Sequence, residues 1–196
     1  TGLIGTALSQ YLSAKGHAII ILSRNPGKIS KDGIKFAEWD VEAGTIDRDS
    51  IAACDYIIHL AGAGVADKRW TKKRKAEIVS SRVQGAKLLV KALQEIPNNV
   101  KAIISSSAIG WYGPDKGKAF VETDLPYTDY LAQTCIQWEE AIEPVATLGK
   151  RLVKLRTGIV LSNDGGALKE FKTPLRFGLA AILGTGKQMI SWIHMD

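Results

Sequence analysis

Short β-branched runs alternate along this chain with longer stretches of helical periodicity. That alternation limits the fold more than any other feature of the sequence. "AIIILSR", "IKFAEWD", "YIIHLAG", "KAIISSSAIG" and "RLVKLRTGIVLS" read as strands. The first is too apolar for a strand with one wet face, so it predicts a strand covered on both sides. Between them, Leu3, Ile4, Ala7, Leu8, Tyr11 and Leu12 recur at helical spacing until "KGH" stops the helix at Gly16. A long helix is predicted over 71–94, with Ile78, Val83, Leu88, Leu89, Ala92 and Leu93 on its buried side, and another over 130–148. Strands alternating with helices of this length indicate an α/β fold, a doubly wound parallel sheet with helices on both faces.

The chain opens on "TGLIG". Gly2 and Gly5 fit the second and third glycines of a G-x-x-G-x-x-G phosphate-binding turn, in which backbone amides at a helix N-terminus hold a pyrophosphate. The leading strand and first glycine of that Rossmann-like unit would precede Thr1. The end, "GTGKQMISWIHMD", stops just after a strand-like run. The expectation is a fragment truncated at both ends: residues 1–162 form a nucleotide-binding domain without its first strand, and 163–196 begin an incomplete substrate-binding part. At the end of the second strand, where an Asp or Glu takes the ribose 2′-hydroxyl in NAD sites, stand Ser23 and Arg24. An acid there repels a 2′-phosphate, whereas a guanidinium fork and a hydroxyl suit one. The expected cofactor is therefore NADP(H).

At 196 residues the chain holds one domain with a sizeable core. No apolar run approaches membrane-spanning length, and no membrane partner is expected. Lysine and arginine exceed aspartate and glutamate by 26 − 20 = 6, much of it in "KRWTKKRK". That run is short, holds one aromatic and leads into an amphipathic helix, so it reads as a solvated helix start rather than a nucleic-acid face. Cys54 and Cys135 lie far apart in apolar stretches and read as buried free thiols in a reducing compartment, the cytoplasm. Homodimerisation stays open.

Several stretches together resemble one family. "TGLIGTAL", "LSRNPGK", "IIHLAGAGV", "EIVSSR", "SSSAIGWYG", "WEEA", "LRTGIVLS" and "GTGKQMISWIHMD" are similar to the extended and atypical short-chain dehydrogenase/reductases, within them to the nucleoside-diphosphate-sugar epimerase-like subfamily. The resemblance covers essentially the whole chain. It implies that Gly2, Leu3, Ile4 and Gly5 cradle the pyrophosphate and that Ser23 and Arg24 hold the 2′-phosphate. Asp40 is implied near the adenine, Leu60, Ala61 and Gly62 beneath the adenine-side ribose, Glu77 and Arg82 on a helix facing the cofactor, and Val160 at the nicotinamide end. Gly184, Gly186, Gln188, Trp192 and His194 match a substrate-side loop and the strand after it.

In active relatives a Ser or Thr after the "SSS" strand binds the substrate oxygen, a Tyr is the acid/base, and a Lys four residues on lowers its pKa. Ser107, with Ser106 second, and Tyr130 fill the first two roles. The third fails, because Thr134 stands where the lysine belongs and carries no charge. An unassisted phenol stays protonated at neutral pH, so Tyr130 is a poor base unless a cation such as Arg82 or Arg156 reaches it. Tyr112 and Tyr127 are alternatives. His59 reads as a core or strand-end histidine, His17 as surface, and His194 with Asp196 as either a structural or a functional pair. Trp70, Trp111 and Trp192 are either walls for a ring-shaped substrate or core residues. Two functions follow: an NADP(H)-dependent oxidoreductase or epimerase acting on a hydroxyl, carbonyl or sugar-nucleotide-like small molecule, or an NADPH-binding sensor with little turnover.

Overall fold

A computed structural model describes residues 2–27, 33–175, 177–179, 182 and 185–196. The first helix, α1 (Leu3–Ala14), is followed by β1 (Ile20–Ser23) and β2 (Lys35–Asp40), which run parallel. A hairpin returns β3 (Thr45–Ile46) antiparallel to β2. A one-and-a-half-turn helix, α2 (Arg48–Ala53), comes next, capped by Asp47, whose carboxylate accepts the Ser50 amide at 2.8 Å. The second ladder is wholly parallel: β4 (Tyr56–His59), β5 (Ala102–Ala108) and β6 (Arg151–Thr157), with Ile58, Ile104 and Val153 in register. Crossovers run through α3 (Lys72–Glu95) and α4 (Tyr130–Ile142). A third small sheet joins β7 (Ile159–Ser162), β8 (Gly165–Gly166) and β9 (Trp192–His194), beside α5 (Ala167–Leu175).

One core ties the two ladders together. Trp39 of β2, Ile51 of α2, Ala86, Leu89 and Leu93 of α3, Ile103 of β5 and Trp138 and Ile142 of α4 form one buried cluster. α3 contributes the largest share of it. Its apolar positions recur at helical spacing, and each fully buried aliphatic side chain contributes about 2–3 kcal/mol. On β5 the alternation is clean: Ile103, Ser105 and Ser107 are buried toward α3 and α4, while Ile104, Ser106 and Ala108 face the other side half-buried.

Three expectations need correction. The strand 18–24 is not covered on both faces among the described residues, since Ile20 is 38% exposed. β1 has β2 on one edge only, and α1 buries only Ser9. The helix expected over 130–148 is α-helical to Ile142 and continues as a 3-10 helix over Glu143–Leu148, where Pro144 in the first turn lacks the amide to continue an α-helical ladder. The strand 151–162 divides at Gly158. A Cβ there would stand 2.7 Å from the Ser191 carbonyl, which also accepts the Ile159 amide at 2.9 Å, so Gly158 lets the neighbouring segment cross and re-pairs the chain with β9.

Candidate functional site

The N-terminus of α1 carries no side-chain cap. Gly2 is its N-cap with extended backbone (φ −89°, ψ −177°), and its first turn holds no acid. The leading amides of a helix lack intrahelical acceptors and sit at the positive end of its dipole. Beside this turn a Cβ on Gly5 would lie 4.0 Å from Leu60, just past β4. Leu3 lies 3.5 Å from the Cβ position of Gly166, which is also 3.6 Å from the Val160 carbonyl. The structure thus gathers Gly2–Gly5, Leu60 and Val160 at one end of the strands. Ser23 closes β1, and its hydroxyl accepts the Asn25 amide at 3.2 Å. Arg24 follows, exposed, with no ion pair among the described residues. Asp40 is occupied locally: its Oδ1 accepts the amides of Glu42 and Ala43 at 2.9 and 3.0 Å, which shapes the β2–β3 turn.

Two residues placed on the cofactor face by the resemblance serve the protein first. Glu77 pairs with Arg74 at 2.8 Å, and that bond holds its carboxyl below the usual range. Arg74 is 7% exposed and also reaches Asp67 and the Gly64 carbonyl. Arg82 donates from Nη1 to the carbonyls of Ala63 (2.9 Å) and Ile78 (3.0 Å), and its guanidinium lies 5.0 Å from the Trp138 ring centre.

Ser107 is 3% exposed, and its hydroxyl donates to Glu139 Oε1 at 2.6 Å. Glu139, equally buried, takes a two-pronged hold from Arg156, with Nε at 2.9 Å and Nη2 at 3.0 Å. Burial raises the Glu139 pKa, but the bonds from Arg156 and Ser107 outweigh it and the net shift is downward. Arg156 lies 3.7 Å from the Trp111 ring centre and donates to the Tyr112 hydroxyl and the Glu122 carbonyl. Ser106, on the opposite face of β5, is half-buried, and its hydroxyl makes only a 3.4 Å contact to the Ser107 carbonyl.

Tyr130 begins α4, positioned by Asp129, which caps the helix through the Ala132 amide at 2.8 Å. Its hydroxyl donates to the Lys75 carbonyl at 3.0 Å. The Lys75 ammonium sits 4.8 Å from the Tyr130 ring centre, and Trp70 meets that ring edge-on at 5.4 Å. Thr134, in the lysine position, returns its hydroxyl to the Tyr130 carbonyl at 2.8 Å. Ser107 and Tyr130 therefore serve different partners. Neither Arg82 nor Arg156 bonds to Tyr130, and the nearest ring-facing cation is Lys75.

His59 is a core residue: 4% exposed, Nδ1 3.3 Å from the Ser105 hydroxyl, Nε2 unpartnered, and its pKa pushed down to about 4 by burial. His194 and Asp196 pair at 3.2 Å on the surface. Trp70 and Trp192 are 41% and 61% exposed. Gly184 lies outside the described residues. Among the described residues, no helix is long and apolar enough to cross a membrane.

Comparison with known proteins decides the family. Residues 1–137 match the NAD dependent epimerase/dehydratase family. The chain belongs to that family. It is 37% identical to an epimerase family protein of Staphylococcus saprophyticus and 34% identical to one of Mycobacterium bovis, spanning 65% and 63% of their lengths. Among solved structures it is similar to the human epimerase family protein SDR39U1 (isoform 2), described with NADPH. That match has TM-score 0.81 and 31% identity over 99% of this chain and 63% of that one. It is also similar to a nucleoside-diphosphate sugar epimerase of Corynebacterium glutamicum, with TM-score 0.79 and 33% identity over all of this chain and 39% of that one. These epimerase-type neighbours share the doubly wound Rossmann architecture expected from the strand–helix alternation.

Within the epimerase family framework, sequence reasoning missed Glu139, Arg74 and Lys75 as structural partners of the site. Glu139 had a signal, a carboxylate in "WEEA" on the inward face of an apolar helix with Trp138, where an unpaired charge is costly. Arg74 and Lys75 act through contacts of α3 with the segment after β4 and with α4, which no local pattern reveals.

Proposed function

We propose that the chain is the nucleotide-binding part of an NADP(H)-dependent oxidoreductase or epimerase acting on a hydroxyl, carbonyl or sugar-nucleotide-like compound. The observation that carries this reading is Arg24: an exposed guanidinium directly after β1, beside the Ser23 hydroxyl, with no acid in its place. The anion-ready N-terminus of α1 and the NADPH described with SDR39U1 support it. The residues fit the group: Leu3, Ile4 and Gly5 would hold the diphosphate, Arg24 and Ser23 the 2′-phosphate, and Leu60, Ala61, Gly62 and Val160 would border the ring system. When bound, the nicotinamide supplies or accepts hydride.

The chain's own part is orientation and proton handling. Tyr130 holds a donatable proton at its hydroxyl, now spent on the Lys75 carbonyl, and would turn it to a substrate oxygen. Ser107 is tied to Glu139, so Ser106 is the freer hydroxyl of β5. A second reading, an NADPH sensor with little turnover, is favoured by Thr134 and by the commitment of both hydroxyls.

Two assays on the intact protein separate the readings: NADPH oxidation across a panel of aldehydes, ketones and keto-sugars, and isomer interconversion of sugar nucleotides, in which an epimerase returns its hydride and consumes no net NADPH. The catalytic reading expects turnover that Tyr130→Phe reduces by about 10²-fold or more. Tight NADPH binding without turnover in either assay leaves the sensor reading. Turnover unchanged in Tyr130→Phe removes Tyr130 from the reaction.

A further inference from the structure

We infer that Ser81 and Arg82 of α3 set the affinity for the nucleotide as positioning residues, by clasping the backbone after β4 rather than by touching the ligand; this rests on the NADP(H) reading above. Both polar groups of Ala63 are taken by these two neighbours: its amide donates to the Ser81 hydroxyl oxygen at 3.0 Å, and its carbonyl accepts from Arg82 Nη1 at 2.9 Å. Both side chains are also anchored to one carbonyl a turn earlier, that of Ile78, at 3.1 Å from Ser81 and 3.0 Å from Arg82. Neither is free to swing.

The guanidinium of Arg82 is held between two surfaces. Trp138 of α4 lies on one side at 5.0 Å from its ring centre. Gly62 lies on the other, where a Cβ would stand 3.1 Å from the guanidinium carbon. One residue further on, Arg74 takes the Gly64 carbonyl. The stretch Leu60–Gly62 is therefore fixed at both ends, by the β4–β5 ladder at His59 and by the clasp at Ala63. Leu60 is the residue that meets Gly5 of the glycine turn. Ordering three backbone residues before the ligand arrives removes that entropy cost from binding, so the clasp raises affinity without a contact of its own.

The test is a fluorescence titration of NADPH into the intact protein, with Ser81→Ala, Arg82→Ala and Arg24→Ala in parallel. Loss of preorganisation predicts a Kd raised about tenfold in Arg82→Ala and about threefold in Ser81→Ala. Methylguanidinium refilling the space between Gly62 and Trp138 restores NADPH affinity in Arg82→Ala and leaves Arg24→Ala unrestored. A purely structural role for Arg82 would let methylguanidinium recover thermal stability and not affinity, and that result overturns the inference. So does wild-type affinity in both clasp variants. If Arg82→Ala does not fold, Ser81→Ala, which removes one acceptor and no charge, decides alone. Wild-type protein that binds no NADPH overturns the cofactor reading itself, which is a different outcome from a wild-type protein that binds while clasp variants match it.

Discussion

His59 shows how burial governs a single residue. Its ring is buried between Trp39 and α3, with one nitrogen near Ser105 and the other unpartnered, and its pKa falls to about 4. The fold keeps it neutral, whereas the unfolded chain protonates it near 6.5. Between those values the unfolded state binds the extra proton, so stability is lost as pH falls from about 6.5 toward 4, by up to about 3 kcal/mol. Urea unfolding at pH 7 and pH 5 should show this loss in the wild type and a smaller one in His59→Asn; equal losses would remove His59 as the cause. Glu139 titrates lower, because Arg156 and Ser107 hold its pKa down. Glu139→Gln leaves the Arg156 charge without its carboxylate and should cost about 1–3 kcal/mol at neutral pH, read as a lower unfolding midpoint. The sequence showed His59 as an interior histidine because it stands in an apolar run. It did not show where Ser107 points, because that depends on a carboxylate 32 residues away.

Among the elements, helix ends were more legible than their consequences. Gly16 is a stop residue in the sequence, and the structure uses it so, while Thr71 and Asp129 cap α3 and α4. Thr71 accepts the Arg74 amide at 3.1 Å, which makes the basic run a capped helix start with Lys72 and Lys73 exposed and Arg74 buried. Asp129→Ala removes the α4 cap and should cost about 1 kcal/mol in thermal unfolding. Because Tyr130 is the next residue, the same variant should also lower any Tyr130-dependent turnover, while a distant cap loss such as Asp47→Ala should not. α2 and β3 escaped the sequence reading: each is at most six residues long, too short to show a period. The division at Gly158 escaped it for another reason, since the crossing partner, Ser191, is 33 positions on.

In the whole molecule, α3 is the common wall of both parallel ladders, and the continuous core from Trp39 to Trp138 predicts one cooperative unfolding transition. Ile51→Ala in α2 and Ile103→Ala in β5, both nearly unexposed, should each cost about 2–5 kcal/mol and shift that same transition by fluorescence and by circular dichroism. Two separated transitions would show ladders that fold independently. At this scale the sequence was most informative: alternating strand and helix patterns implied a doubly wound sheet, and the glycine turn implied a dinucleotide, with Arg24 the ground for proposing NADP(H). The measurement that tests this account most directly is a calorimetric titration of NADPH and NADH into the intact protein and its Arg24→Ala variant. A guanidinium bond to a 2′-phosphate is worth about 1.5–3 kcal/mol, so the variant should lose about 10- to 150-fold in NADPH affinity and almost none for NADH. Equal affinity of the wild type for both nucleotides, or equal losses for both in the variant, would contradict the NADP(H) assignment.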